Sequence, residues 1–184
     1  MKTSLKILIG TGLIMSTLSG LAIAKDNKAL AKQHAKIERQ FPDVQHIKAD
    51  DEALEEMSDV VIFDVREKSE FEVSHLEGAI QVDPGITTKE LLAKYADVIE
   101  GKKVVFYCSV GQRSSHLASQ SQSTLIDKGA TGAYNLEGGI FNWHNEQRDL
   151  VSNDHTPTNV VHPYNAYWGR MVNDRSKTSY KPVK

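Results

Sequence analysis

The first pattern along the chain is an uncharged run. Lys2 and Lys6 lead into residues 7–24, which carry no charge and close on Ala22-Ile23-Ala24 before Lys25. A cationic end, an apolar middle and a small-x-small ending are the plan of a secretory signal, predicting cleavage after Ala24 and an exported product. Export means the periplasm in a Gram-negative cell and secretion otherwise. The alternative is an uncleaved anchor, the one route to membrane association, since the run approaches the length that spans a bilayer. Gly10, Gly12, Ser16, Ser19 and Gly20 dilute it. Residues 25–43 are polar, with helix-forming alanines and no broad apolar face, and read as a linker or surface helix outside the core.

From residue 44 the texture changes to a domain spanning 44–149. VQHI, residues 44–47, is a short strand candidate, and Asp50 or Asp51 can cap a short helix ending at Met57. Residues 60–65, VVIFDV, and 103–108, KVVFYC, are continuous apolar runs with a polar residue near the end, as expected of parallel strands buried on both faces. AIQV at 79–82 and AYNL at 133–136 supply further strands. Helical spacing of apolar residues marks 88–99, a second helix fills 114–129 with Gly129 at its cap, and a third closes the domain at 138–146. Alternating strands and helices imply a parallel sheet covered on both faces, an α/β fold. Residues 150–184 form a C-terminal extension without clear period, whose aromatic cluster of Tyr164, Tyr167 and Trp168 is open to three readings: packing back on the domain, covering the mouth of a site, or binding a partner.

Composition adds limits. With 40% hydrophobic and 25% charged residues, the 184-residue chain suits one globular domain plus extras. Its formal charge of −2 becomes −4 without residues 1–24, a poor balance for binding nucleic acid. The seven histidines lack metal-site spacing, and with one cysteine no zinc site is predicted. That cysteine, Cys108, has no partner in its own chain for a structural disulfide, although exported proteins usually pair theirs.

The lone thiol stands at a chemically suggestive place. Parallel sheets put their ligand sites beyond the carboxyl ends of the strands, where Asp64 and Cys108 both fall. After Cys108 come Ser109, Val110, Gly111 and Gln112, then Arg113, then Ser114 and Ser115 opening a helix. A tight strand-to-helix loop can turn successive N–H groups inward, and the helix adds its own unsatisfied amides and positive dipole end. Gly111 permits the backbone angles of such a curl, and Arg113 adds a charge that does not titrate away. A thiol at the rim of this anion cradle has a lowered pKa and more of the nucleophilic thiolate. A buried cysteine serving only as a small hydrophobe is the alternative, and its polar, glycine and arginine neighbours argue against it. Asp64 and Arg66 are supporting residues, with an Arg66–Glu67 pair expected. His75 is expected to fix a turn and His116 to face solvent.

Five motifs then occur in one order: D-V-R-E at 64–67, E-F at 70–71, H-L-E-G-A at 75–79, Y-C-S-V-G-Q-R-S at 107–114 and N-L-E-G-G-I-F-N-W at 135–143. Residues 45–146 thereby resemble a rhodanese-like domain. The resemblance implies about five parallel strands flanked by helices on both faces. It further implies a sulfurtransferase cycle in which Cys108 takes sulfane sulfur from a donor such as thiosulfate or a persulfide. A thiol, including one on a protein, or cyanide then accepts that sulfur. The implied intermediate is a persulfide on Cys108, held by the loop from Ser109 to Arg113, without metal or organic cofactor. Phosphatases and arsenate reductases of this fold place five residues between cysteine and arginine, and this chain has four. Many active members carry a charged residue directly after the cysteine, whereas Ser109 and Val110 stand here. That departure counts against thiosulfate as the preferred donor. With no second cysteine to discharge Cys108, a sulfur-carrier or redox-sensing module with little turnover of its own is the second expectation, and an oxyanion hydrolase the third.

Overall fold

The computed structural model describes residues 27–54 and 57–183. The export signal expected at 1–24 lies outside the described residues.

Five strands form one parallel sheet in the order β1-β5-β4-β2-β3: β1 (Gln45–Ile47), β2 (Val60–Asp64), β3 (Ile80–Gln81), β4 (Lys103–Tyr107) and β5 (Gly132–Leu136). The alternating geometry of a strand explains why β2 and β4 read as unbroken apolar runs. Val60 and Ile62 point into one apolar cluster while Val61 and Phe63 point into another. Val105 and Tyr107 join the first, Val104 and Phe106 the second. Each face needs its own cover. Helices α3 (Thr88–Ile99) and α4 (Gln112–Asp127) supply Leu91, Ile99, Leu117 and Leu125 to the second cluster. Helix α5 (Gly139–Asn145) supplies Ile140 and Phe141 to the first.

Local signals set the helix ends. Thr87 and Glu90 form a reciprocal capping box at the start of α3, satisfying amides that would otherwise lack partners. Gly129, at φ +94°, ends α4 in the left-handed conformation that glycine adopts without a Cβ clash. The short helix expected after Asp50 is instead two single 3-10 turns, Glu52–Leu54 and Met57–Asp59. Leu54 is buried and its N–H bonds to the Asp51 carbonyl at 2.9 Å, and so brief a segment closes with the tighter i to i+3 bond.

Two segments differ from the sequence expectation. Residues 25–43 read as a linker or surface helix outside the core; they do hold a helix, yet α1 (Lys28–Gln40) buries Leu30 and Ile37, two full turns apart on one face. The stripe is only two large residues wide, too narrow to stand out among lysines and alanines. The extension, to which no fold was assigned, packs on the same face as α1 and α5. Its β6 (Leu150–Val151) pairs antiparallel with β7 (Pro157–Thr158), and Val151 exchanges backbone bonds with His75 at 2.9 and 3.0 Å. Leu150, Val161, Met171 and Val172 are buried in the first cluster. The side-chain amides of Asn27, which caps α1, and of Asn145 in α5 both donate to the Met171 carbonyl at 2.8 Å. One carbonyl thus joins three segments distant in sequence.

If α1 and the extension are parts of the core, Ile37→Ala and Met171→Ala each lower the unfolding free energy by about 2–5 kcal/mol in urea titrations. Changes within about 0.5 kcal/mol, typical of surface positions, would show that these segments are appended rather than integral.

Candidate active site

Because all five strands run the same way, their carboxyl ends gather at one edge. Asp64, the last residue of β2, lies in register with Tyr107, so Cys108 leaves β4 directly beside it. The chain then curls into α4 (Gln112–Asp127) through Gly111, whose φ of +95° and 3.0 Å clearance from Cβ position to Asn135 Nδ2 exclude larger residues. Helix α5 fixes the curl from outside. Its Ile140 and Phe141 N–H groups donate to the carbonyls of Cys108 and Ser109 at 2.9 and 3.1 Å. Gly139 makes this approach possible, since a Cβ there would fall 2.3 Å from the Cys108 carbonyl oxygen. With those carbonyls turned to α5, the next amides face the sulfur: Gly111 N–H donates to Sγ at 3.3 Å, joined by the Val110 and Ser114 amides.

Cys108 is 1% exposed. Burial alone pushes its thiol up, but the Arg113 charge and the hydrogen bonds from Ser114 and Val110 outweigh it and hold the thiol below its ordinary range. The loop therefore favours the thiolate more than an ordinary cysteine environment does. Arg113 is itself held by Glu70 from α2 (Lys68–Phe71), Nη1 to Oε2 at 2.9 Å and Nη2 to Oε1 at 3.1 Å. Ser109 Oγ completes the group, donating to Glu70 Oε1 at 2.9 Å and accepting from Arg113 Nη2 at 3.1 Å. Burial raises the Glu70 carboxyl, yet Arg113, Arg66 and Ser109 together keep it below the usual carboxylate range. Glu70 thus neutralises much of the guanidinium charge near the sulfur. Even so paired, Arg113 is the largest influence holding the thiol down, with the Ser114 and Val110 hydrogen bonds next.

The expected site residues divide by what they touch. Ser109, Gly111, Arg113 and Ser114 surround the sulfur or its charge partner. Val110 offers its amide, while its side chain is buried in the first apolar cluster. Gln112 turns away, its side chain bonding Gln40 and Gln33 of α1 at 3.0 and 3.4 Å. Asp64 and Arg66 form a buried layer below. Arg66 Nε donates to Asp64 Oδ1 at 2.8 Å, Nη2 to Asp64 Oδ2 at 2.6 Å and to the Ser74 carbonyl at 2.7 Å. The Tyr107 hydroxyl donates to Asp64 Oδ2 at 2.5 Å and accepts from Leu76 N–H at 3.2 Å. The expected Arg66–Glu67 pair does not form: Arg66 is turned inward, and Glu67 faces solvent in a capping box with Glu70. His75 does hold a turn, its ring stacked on Phe71 with Nδ1 3.0 Å from the Phe71 carbonyl. His116 is exposed.

Three contributors lie outside the predicted cradle. Glu70 stood within the E-F motif, but its pairing with Arg113 crosses 43 positions. Asn135 stood within N-L-E-G-G. Its Oδ1 accepts from the Ser114 hydroxyl at 2.6 Å while its Nδ2 faces His46 Nδ1 at 3.1 Å and the Leu136 carbonyl at 3.2 Å. A hydroxyl has one hydrogen, so Ser114 donates either to Asn135 or to a thiolate, not to both. The third is Tyr164 of the extension, whose ring lies 5.0 Å from the Arg113 guanidinium carbon. Among the described residues no group of three or more histidine, cysteine or acidic side chains is placed to hold a metal ion.

Comparison with known proteins agrees with this architecture. The family model described as "Rhodanese-like domain" matches residues 49–146, just over half the chain. Curated relatives include tRNA uridine(34) hydroxylases of Photorhabdus laumondii, 31% identical over 94 residues, and Pectobacterium carotovorum, 31% over 103. These alignments cover 50% and 54% of this chain but only 25% and 28% of those proteins. Among solved structures, a rhodanese-related protein of Thermoplasma volcanium is 26% identical with a TM-score of 0.45, covering 58% of this chain and 97% of that one. A thiosulfate sulfurtransferase of Pseudomonas aeruginosa is 18% identical with a TM-score of 0.49, covering 68% of this chain and 23% of that one. With the family model matched from residue 49 to residue 146, and the cysteine loop lying inside that span, this chain belongs to the rhodanese-like domain family.

Proposed function

We propose that this chain is an exported sulfurtransferase that carries sulfane sulfur as a persulfide on Cys108. The observation that carries the reading is the buried sulfur faced by the Val110, Gly111 and Ser114 amides and held below its ordinary pKa. In the first half-reaction the Cys108 thiolate attacks the sulfane sulfur of a donor such as thiosulfate or a small persulfide. A new S–S bond forms, and the donor's S–S bond breaks with its electron pair leaving on sulfite or thiolate. The product, Cys–S–S⁻, keeps its charge within reach of the same amides. In the second, an acceptor thiolate or cyanide attacks the outer sulfur and the electron pair returns to Cys108. Neither half-reaction calls for a metal or organic cofactor.

Two features refine the donor and acceptor. The Arg113 charge and the loop amides suit an anionic donor, a monoanionic persulfide as well as thiosulfate. Cys108 is the chain's one cysteine, so no second thiol in the same chain can discharge it and the acceptor comes from outside. The tRNA hydroxylation named for the curated relatives is not carried over, because the matched segment is about a quarter of their length.

Incubation with thiosulfate or a small persulfide is expected to add one sulfur mass to Cys108 in intact-protein mass spectrometry, and cyanide to remove it as thiocyanate. Cys108→Ser is expected to abolish both. A wild-type protein that gains no sulfur from any sulfane donor would refute the proposal. The electrostatics give a paired test. A lowered thiol pKa means the thiolate persists further toward acid, so alkylation of Cys108 by iodoacetamide stays fast below the pH where an ordinary thiol slows. Arg113→Gln is expected to move the midpoint of that pH profile up, and Glu70→Gln, which unmasks the guanidinium, to move it down. Midpoints shifted in the same direction would contradict the assigned roles.

A further inference from the structure

The cysteine loop is closed as well as charged. Residues 108–111 are all buried, and the half-buried Arg113 stands beside the sulfur. A cleft of about 670 Å³ between α5 and the extension is lined by His144, Arg148, Thr158, Asn173 and Lys177 and includes no loop residue. The extension contributes to the apolar cluster that takes up the loop's one large apolar side chain. Val110 is 4% exposed and belongs to the same apolar cluster as Leu150, Val161, Met171 and Val172. An apolar residue two places after a reactive cysteine would be costly in an open, wet mouth, and its burial in this cluster removes that cost.

Residues 161–165 then turn across the guanidinium. Val161 anchors the turn, donating to the Lys177 carbonyl and accepting from Ser179 N–H at 2.9 and 3.1 Å. Tyr164 sits at φ +60°, a left-handed conformation unfavourable for a tyrosine, and its N–H donates to His162 Nδ1 at 3.0 Å. Asn165 fixes the far side by capping α6 (Ala166–Gly169). The ring held in this way is 45% exposed, so it contributes little to the core. It stacks on the outward face of Arg113, whose inner atoms reach Glu70 and Ser109 beside the sulfur. A strained backbone that places a half-exposed ring there positions the ring for access to the sulfur rather than for packing.

We infer that Tyr164 is a specificity-determining residue: with the extension it walls the mouth above Arg113, so that small sulfur donors and acceptors reach Cys108 and bulky or protein-borne thiols are excluded. This deepens the proposed function by naming the size class of its substrates.

The test uses chemical access to the thiol and therefore does not depend on sulfur transfer. Full-length wild type, Tyr164→Phe and Tyr164→Ala are alkylated with iodoacetamide and with N-phenylmaleimide, and the ratio of the bulky to the small reagent's rate is taken for each. Tyr164→Ala is expected to raise that ratio at least about tenfold, and Tyr164→Phe, which keeps the ring, to leave it within about twofold. Thermal melting of each variant confirms that the fold is retained. An unchanged ratio in Tyr164→Ala, including one where both rates change together because Arg113 has altered the thiolate fraction, would overturn the inference. If the ratio shifts as expected while wild type forms no persulfide, the mouth assignment stands and the proposed function falls.

Discussion

A thiolate cannot be buried without compensation, and that constraint organises this molecule. Moving an isolated charge out of water costs several kcal/mol even after relaxation, so a sulfur with 1% exposure must be met by fixed dipoles and a counter-charge. The amides come from a loop whose carbonyls α5 has drawn away, and the counter-charge from Arg113. Arg113 is itself half-buried, and Glu70 meets it with two hydrogen bonds. The chain of compensation runs from β4 to α4 to α2, three elements that only the parallel sheet brings to one edge. Removing Glu70 or Arg113 alone strands its partner, which is why the pair is best probed with substitutions that keep shape and polarity.

Much of this was legible in the sequence for a physical reason. Strands buried on both faces leave continuous apolar runs, so β2 and β4 declare themselves, and a polar residue at the end of each marks the edge where chemistry sits. Gly111 and Arg113 are local to Cys108, and a strand-loop-helix curl needs no distant information. Contacts between segments far apart in the chain left no such trace. Glu70 reads as one acid among several on a short helix, and its role appears only when α2 meets α4. Arg66 had two acidic neighbours in sequence, Asp64 and Glu67, and the choice of Asp64 follows from alternation along β2 and the turn after it, which carry Asp64 and Arg66 inward together. In α1 and the extension, burial falls on a few residues spaced too widely to make a period. Asn27 and Asn145, which tie these segments together, look in sequence like any loop or helix-end asparagine.

The extension also gives meaning to a departure from the family pattern. Ser109 and Val110 replace charge where many relatives carry it, and alone they suggest a weakened active site. In the folded chain Ser109 bridges Glu70 and Arg113, while Val110 is buried with residues contributed by the extension. The loop and its cover fit each other.

The account stands or falls on the chemical state of one atom. Cys108 in protein isolated from its native compartment, trapped at once with an alkylating reagent and read by mass spectrometry of the cysteine peptide, reports that state directly. A persulfide sulfur between Cys108 and the alkyl group is the predicted result. A mixed disulfide as the sole modification would contradict sulfur transfer and assign the thiol to redox exchange instead.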